Sequence, residues 1–335
     1  MKKNIVIDGY QPSLNLIETE VAIKLVKDTF ERKLAEELDL VRVSAPLFVD
    51  PKTGLNDNLN GYEKAVSFKS IELNQELEVV QSLAKWKRNA LKKYNFEVNK
   101  GLYTDMNAIR PYEELDNLHS LYVDQWDWEK IITSKDRTLN YLFSVVKKIY
   151  QALLDTEAVI VEKFPRLKHG LPKEIQFIST SELEAMFPEL DRKERENEIT
   201  KKYKAVFLYK IGWPLKDGKS HDGRAADYDD WNLNGDIMLW YDSLQIAFEI
   251  SSMGIRVDSK SIVKQLRHKG EEYKLDNDYV KDVINNNLPL TIGGGIGQSR
   301  MCMYMLKKAH IGEVQSSIWS SNDINLFNEH NIHLL

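Results

Sequence analysis

Thr291-Ile292-Gly293-Gly294-Gly295-Ile296-Gly297-Gln298-Ser299-Arg300 is the stretch on which the fold turns. An apolar, β-favouring entry from Leu288 to Ile292 leads into it, and a run of helical character from Gln298 to His310 follows. Backbone that passes from strand to helix without side chains can press against a flat or anionic ligand, and Arg300 is placed to reach one. A single glycine here would serve a tight turn that needs positive φ. Four glycines ending in an arginine point to a nucleotide site. Two commoner patterns fail. In the frame that starts at Gly295, Arg300 stands where a dinucleotide fingerprint has its third glycine, and only 35 residues follow it, too few for a βαβαβ unit. The stretch Gly212 to Ser220 has five residues between its glycines where a P-loop has four, and reads as a loop.

Composition sets outer limits. The 335 residues are 42% hydrophobic, ample for a core, and 29% charged with a net charge of −5, so there is no global basic footprint for nucleic acid. The single cysteine, Cys302, excludes an intrachain disulfide and sits among Met301, Met303 and Met305 as a packed thiol. The N-terminus lacks the apolar region of a signal peptide, and no run approaches the ~20 apolar residues of a membrane span. A cytoplasmic protein with no membrane partner is the expectation.

Upstream, apolar residues at helical spacing (Ile17, Val21, Leu25, Val26, Phe30, Leu34, Leu38) predict a long helix from about Ser13 to Leu38. A strand from Leu40 to Val49 follows, with Pro46 marking a sheet edge or an interface. Asn56-Asp57-Asn58 lies in a polar loop, where Asp57 is either turn chemistry or a ligand. Ser82 is in position to cap a helix that carries Lys85, Lys87 and Arg88, a solvated face or an anion site. The segments Tyr103 to Arg110 and His119 to Glu129 form a hairpin. Alternation puts Val123, Gln125, Asp127 and Glu129 on one face and Tyr122, Asp124, Trp126 and Trp128 on the other. Acids on both faces suit a polar cavity, and Arg110 stands where it could hold an anion. Helices are expected over 136–164 and over 180–204, the latter interrupted at Pro188; His169 and His221 lack metal-ligand spacing and read as loop residues. Asp227-Tyr-Asp229-Asp230-Trp231 is an acidic loop cluster, explained by solvation or by substrate binding.

Asp236-Ile-Met-Leu-Trp-Tyr241 and Leu244-Gln-Ile-Ala-Phe-Glu249 flank the turn residues Asp242-Ser243. With a two-residue loop, Asp236 faces Glu249, and like charges so placed call for a cation such as Mg²⁺. A register slip or a solvated edge is the other explanation. Ser251 is expected on the same face.

The order of helix, proline-bearing strand, arginine hairpin, acidic hairpin and glycine-rich strand resembles the three motifs of class II aminoacyl-tRNA synthetases. Within them the chain is similar to the ammonia-dependent asparagine synthetases (aspartate–ammonia ligases). The matching stretches include Asp57 to Val66, Ser82 to Arg88, Gly101 to Thr104, Tyr122 to Glu129, Asp227 to Trp231, Leu233 to Ile237, Phe248 to Arg256 and Thr291 to Arg300. They cover nearly the whole chain. The resemblance implies an α+β fold in one catalytic domain over 1–335, with a central antiparallel sheet flanked by helices. Within it, 13–50 is the helix and motif 1 dimer strand, 103–129 the motif 2 hairpin and 291–310 motif 3.

It further implies ATP-dependent amidation of L-aspartate by ammonia through a β-aspartyl-adenylate, in a homodimer that needs no nucleic acid. By the resemblance, Arg110, Arg300, Gly295, Asp236 and Glu249 meet the nucleotide, the last two holding Mg²⁺. Asp57, Ser82, Lys87, Gln125, Asp127 and Ser251 form the amino-acid pocket, and Asp127 or Asp229 handles the ammonium proton. Where some relatives carry a longer insertion, only Asn232 separates Trp231 from Leu233, which implies a shorter cover over the site. Competing explanations are an aspartyl- or asparaginyl-tRNA synthetase core and a non-catalytic synthetase paralogue.

Overall fold

The structure, a computed structural model, describes residues 4–57 and 64–335. The matched residues Asn58 to Glu63 lie outside the described residues. The first helix, Leu16–Leu38, opens with a reciprocal cap: Asn15 accepts from the Glu18 N–H, and the Glu18 carboxylate accepts from the Asn15 N–H. Its buried stripe is Thr19, Ala22, Val26, Phe30, Leu34 and Leu38. Ile17 is 75% exposed and Val21 is exposed too, contrary to the expected face. Thr19 replaces them because its hydroxyl donates back to the Asn15 carbonyl at 2.7 Å and enters the core already paired. No helix among the described residues is long and apolar enough to cross a membrane.

Among the described residues eleven strands follow: β1 Leu40–Arg42, β2 Phe48–Val49, β3 Ser67–Ser70, β4 Gln75–Val79, β5 Gly101–Ile109, β6 Tyr122–Ile131, β7 Gln176–Ser179, β8 Ala205–Tyr209, β9 Asp229–Tyr241, β10 Ile246–Arg256 and β11 Thr291–Gly297. Eight of them form one sheet in the order β1-β5-β6-β11-β10-β9-β8-β7, antiparallel except for the outermost pair at each edge. The expected strand over 40–49 is two short strands in different sheets: β1 edges the large sheet and β2 joins the small β2-β4-β3 sheet. Pro46 lies in the break, where no ladder needs an N–H.

One face of the large sheet is apolar. Trp126, Trp128, Ile237, Phe248 and Ile296 pack there with the helices Leu16–Leu38 and Leu139–Lys163, and Phe30 meets Trp126 with ring centroids 4.9 Å apart. The interrupted helix is confirmed as two, Thr180–Met186 and Arg192–Tyr203. The other face is polar, because alternation along β6 turns Gln125, Asp127 and Glu129 away from the two tryptophans.

The β9/β10 register differs from the expected one. The turn holds four residues, Asp242 to Gln245, with Gln245 at φ 56°, so Tyr241 pairs with Ile246. The register then shifts between Glu249 and Ser251. Asp236 therefore faces Ser252, and Glu249 faces Met238, two residues along from Asp236. The two acids keep one face but are diagonal neighbours. The shift also moves Ser251 into the row of Ile237 and Ile296, while Ser252 takes its place in the row of Asp236, Gly295 and Asp127.

None of the glycines in β11 has positive φ, so they serve close approach, not a turn. A Cβ on Gly294 would lie 2.7 Å from the Ser252 carbonyl oxygen and 2.6 Å from Met253 Cβ. Gly294→Ala is expected to cost about 1–3 kcal/mol in urea unfolding through overpacking. A loss under about 0.5 kcal/mol would contradict this packing.

Candidate active site

A cavity of about 340 Å³ opens on the polar face, over β6, β11 and β10. Every residue that the resemblance assigns to the site borders it except Asp236. The helix Ala84–Lys93 closes one side. Its N-cap is Leu83, not Ser82; the Ser82 hydroxyl instead accepts from the Ala84 N–H at 3.2 Å. One turn on, Lys87 is 1% exposed and reaches the sheet, donating to the Gly294 carbonyl at 3.0 Å and lying 3.3 Å from Asp127. Burial pulls its ammonium pKa down, while Asp127 pulls the other way. Gly295 keeps this space open: a Cβ there would collide with Gln125 Oε1 and lie 2.7 Å from Asp127 Oδ1.

Behind Lys87 lies a buried ionic group that sequence patterning did not single out. Arg256 donates to both Glu129 oxygens, from Nε at 3.0 Å and from Nη2 to Oε2 at 2.7 Å, and its Nη1 donates to Asp229. All three residues are buried. Burial favours neutral Glu129, but the adjacent guanidinium outweighs it and holds that carboxyl below its usual range. Asp229, with one arginine contact, is left with a raised pKa, burial being the larger influence. The sequence carried no usable signal for it: Ser252, Gly254 and Arg256 alternate along β10, but they share the polar row only because the register shifts between Glu249 and Ser251.

The acidic cluster is not a solvated loop. Asp229, Asp230 and Trp231 belong to β9, all are buried, and Asp227 is buried just before it. Each acid has a cation: Lys85 lies 3.4 Å from Asp227, Arg137 2.8 Å from Asp230, and Arg256 holds Asp229. β9 runs through Asn232 without a loop. Asp57 is buried beside Lys85 and Asp227. Its pKa is raised, chiefly by burial, whereas that of Asp227 is lowered because Lys85 and Lys274 together outweigh burial. His221 lies in a loop as expected, but it is buried and its Nε2 is 2.9 Å from Glu196.

At the other end two arginines converge. Arg110 follows β5, its Nη1 3.7 Å from Glu113, and its buried Nε makes no hydrogen bond among the described residues. Arg300 donates from Nη1 to the Glu249 carbonyl at 3.1 Å and from Nη2 to His119 Nε2 at 2.9 Å. A guanidinium only donates, so Nε2 must accept and the ring proton sits on Nδ1, which donates to Asp116 at 2.8 Å. Sequence patterning left His119 unassigned because Arg300, its partner in the cavity, is remote in the chain.

Asp236 is covered by Arg224, which donates to its Oδ2. Burial and the nearby acids Glu249 and Asp222 push the Asp236 carboxyl up to about 7, against the pull of Arg224. No group of three or more metal-ligating side chains exists among the described residues. A metal here would have Asp236 and Glu249 and would need substrate oxygens to complete its shell, a donor set that suits Mg²⁺.

This arrangement belongs to a class: the chain has the class II aminoacyl-tRNA synthetase fold. It superimposes with a TM-score of 0.66 on asparaginyl-tRNA synthetase from Pyrococcus horikoshii complexed with asparaginyl-adenylate, at 16% identity over 89% of this chain and 68% of that one. Aspartyl-tRNA synthetase from Entamoeba histolytica gives a TM-score of 0.59 at 15% identity, over 89% of this chain and 58% of that one. The family is narrower. Residues 17–331 match the family model for aspartate-ammonia ligase, and the chain belongs to that family. It is 57% identical over 329 residues to the aspartate–ammonia ligase of Ruminiclostridium cellulolyticum, covering 98% of each chain. With that of Bacillus cytotoxicus it shares 56% over 325 residues, 97% of this chain and 99% of the other.

The raised Asp236 pKa has a thermodynamic sign. Between the ordinary aspartate value and about 7 the folded state holds a proton that the unfolded state has lost, so this group's contribution to stability is lost as pH rises through that window. Asp236→Asn should therefore gain on the wild type from pH 4 to 7, by up to about 1.4 kcal/mol per pH unit, read from melting curves. A stability difference that is flat in pH, or runs the other way, would contradict the environment described for Asp236.

Proposed function

We propose that this protein joins L-aspartate and ammonia at the expense of ATP, giving L-asparagine, AMP and pyrophosphate through a β-aspartyl-adenylate. The observation that carries the proposal is a single cavity with two arginines at one end and Asp127, Lys87 and Asp229 at the other, in a chain of the aspartate–ammonia ligase family. Bringing the aspartate β-carboxylate to the α-phosphate sets anion against anion. Arg110, with its unpaired Nε, is the group for the α-phosphate, and Arg300 steadies the nucleotide with its fork already oriented by His119. Asp236 and Glu249 would hold Mg²⁺, and the unpaired Asp236 Oδ1 is an observation that supports a cation there. Bound Mg²⁺ supplies charge neutralisation for the polyphosphate.

At the amino-acid end, Lys87 has a third proton free for the α-carboxylate after its contacts to Gly294 and Asp127. Ser82, Gln125, Asp57 and Ser251 complete that pocket, with Ser252 a better oriented hydroxyl than Ser251. Ammonia then attacks the acyl carbon, the bond from carbon to the phosphate oxygen breaks, AMP leaves, and a proton from nitrogen passes to a carboxylate. Asp229, whose burial raises its pKa, is a base for that proton; Asp127 is the alternative.

A homodimer is part of the proposal, supported by the exposed Ile17, Val21, Leu47 and Phe48 around the first helix and the Pro46 break. So are a cytoplasmic setting and independence from nucleic acid. The tRNA synthetase explanation has only the shared fold in its favour, and a non-catalytic paralogue would have no reason to keep Arg110, Asp236, Glu249 and Arg300 together.

Pyrophosphate release is expected to require ATP, Mg²⁺ and aspartate, with asparagine appearing on addition of ammonium. Arg110→Ala and Arg300→Ala should each lower kcat by about 10²–10³-fold. Pyrophosphate release that is indifferent to aspartate would sink the proposal.

A further inference from the structure

Asp236 differs from Glu249, its partner in the proposed metal site, in that a cation of the chain's own already pairs with it. Arg224 donates from Nη2 to Asp236 Oδ2, and from Nη1 to Asp222 at 3.2 Å and to the Gly223 carbonyl at 2.8 Å. Its side chain is only 12% exposed, and three acids (Asp236, Asp222 and Glu249) hold its charge in place. Facing two of these acids, Asp222 and Glu249, from the helix Arg192–Tyr203 is Lys193, which is tied to Glu196 at 2.9 Å. Neither Asp236 nor Arg224 borders the cavity that Glu249 and Ser252 line. Its Oδ1, in a residue 4% exposed, makes no hydrogen bond among the described residues. The site therefore has a satisfied oxygen, an unsatisfied one and a counterion carried on a loop.

The loop that carries Arg224 is pinned at both ends and open in the middle. His221 is buried against Glu196 on one side. On the other, the Ala225 and Ala226 carbonyls accept from Trp231 Nε1 at 3.0 Å and Gln265 Nε2 at 3.1 Å. Between these anchors Asp222 and Gly223 are exposed, and nothing lies within 4 Å of a Cβ placed on Gly223. Such a loop lets one side chain turn while the backbone stays fixed.

We propose that Arg224 is an exchangeable counterion: it neutralises Asp236 in the free enzyme, yields that carboxylate to a divalent cation that arrives with a polyphosphate, and turns its guanidinium onto that polyphosphate. Metal alone then competes with Arg224 and binds poorly, whereas metal with nucleotide offers the displaced guanidinium a new anion. This makes metal and nucleotide binding synergistic through one side chain. The inference rests on Asp236 and Glu249 being the metal carboxylates.

The test is a Mn²⁺ titration followed by electron paramagnetic resonance on the full-length protein, with and without α,β-methylene-ATP. In Arg224→Met, Mn²⁺ alone should bind about tenfold more tightly than to wild type, and the nucleotide with Mn²⁺ about tenfold more weakly. Arg224→Gln removes the charge but keeps a donor for Asp236; it should behave the same way and serves if the methionine variant does not fold. Adding Asp236→Asn to either variant should abolish the gain in Mn²⁺ binding. Mn²⁺ binding that depends on Asp236 but is indifferent to Arg224 would overturn the exchange alone. Mn²⁺ binding that ignores Asp236 would instead overturn the assignment of the metal carboxylates. If neither variant yields folded protein, Arg224 is a structural counterion and the exchange is overturned.

Discussion

The buried guanidinium of Arg256, shared by Glu129 and Asp229, is the constraint on which the rest of the polar face depends. A charge so deep survives only if it is paired and its donors are used, and here β10 supplies the cation while β6 and β9 supply the acids. Removing one member of such a group typically costs about 3–5 kcal/mol, because a charge is left uncompensated. The strand between β6 and β10 is β11, and it must let these side chains meet across it. A Cβ on Gly293 would collide with Glu129 Oε2 and lie 2.7 Å from Arg256 Nη2. The glycine run is thus first a packing requirement of the ionic group, and its openness to a ligand follows from the same missing side chains.

The cavity inherits a division of charge from that arrangement. Lys87 and Asp127 extend the alternation of cations and acids across the amino-acid end, all of them buried, so a zwitterion can be met by partners of both signs. At the opposite end Arg110 and Arg300 line the cavity from half-buried positions, where a polyphosphate has room. One β-bulge connects the two halves. By shifting the phase of β10 between Glu249 and Ser251, it brings Glu249, Ser252 and Arg256 all onto the polar face.

Much of this was legible from residue order. The alternation along 123–129 and the four glycines near the C-terminus each have a period or a composition that needs no tertiary context, and Gln125, Asp127, Glu129, Gly293 and Gly295 share the polar face. The β9/β10 pairing was not legible. A two-residue and a four-residue turn both fit Asp242 to Gln245, and no residue type announces a bulge at Ile250, so Ser251 and the facing of Asp236 were misplaced. The buried acids of 227–230 looked solvated because their cations, Lys85, Arg137 and Arg256, are distant in sequence. Arg224 and His119 lie in loops without periodicity, where only the folded chain reveals the partner. Exposure of Ile17 and Val21 was hidden by Thr19, a polar residue that pairs with its own helix.

The central claim is that the aspartate β-carboxylate attacks the α-phosphorus of ATP in this cavity. Aspartate labelled with ¹⁸O in its β-carboxylate tests it directly, with the AMP and pyrophosphate formed in the presence of ammonium analysed by mass spectrometry. Attack at the α-phosphorus followed by acyl transfer to ammonia leaves one ¹⁸O in AMP and none in pyrophosphate. Unlabelled AMP, or label in pyrophosphate or inorganic phosphate, would contradict it.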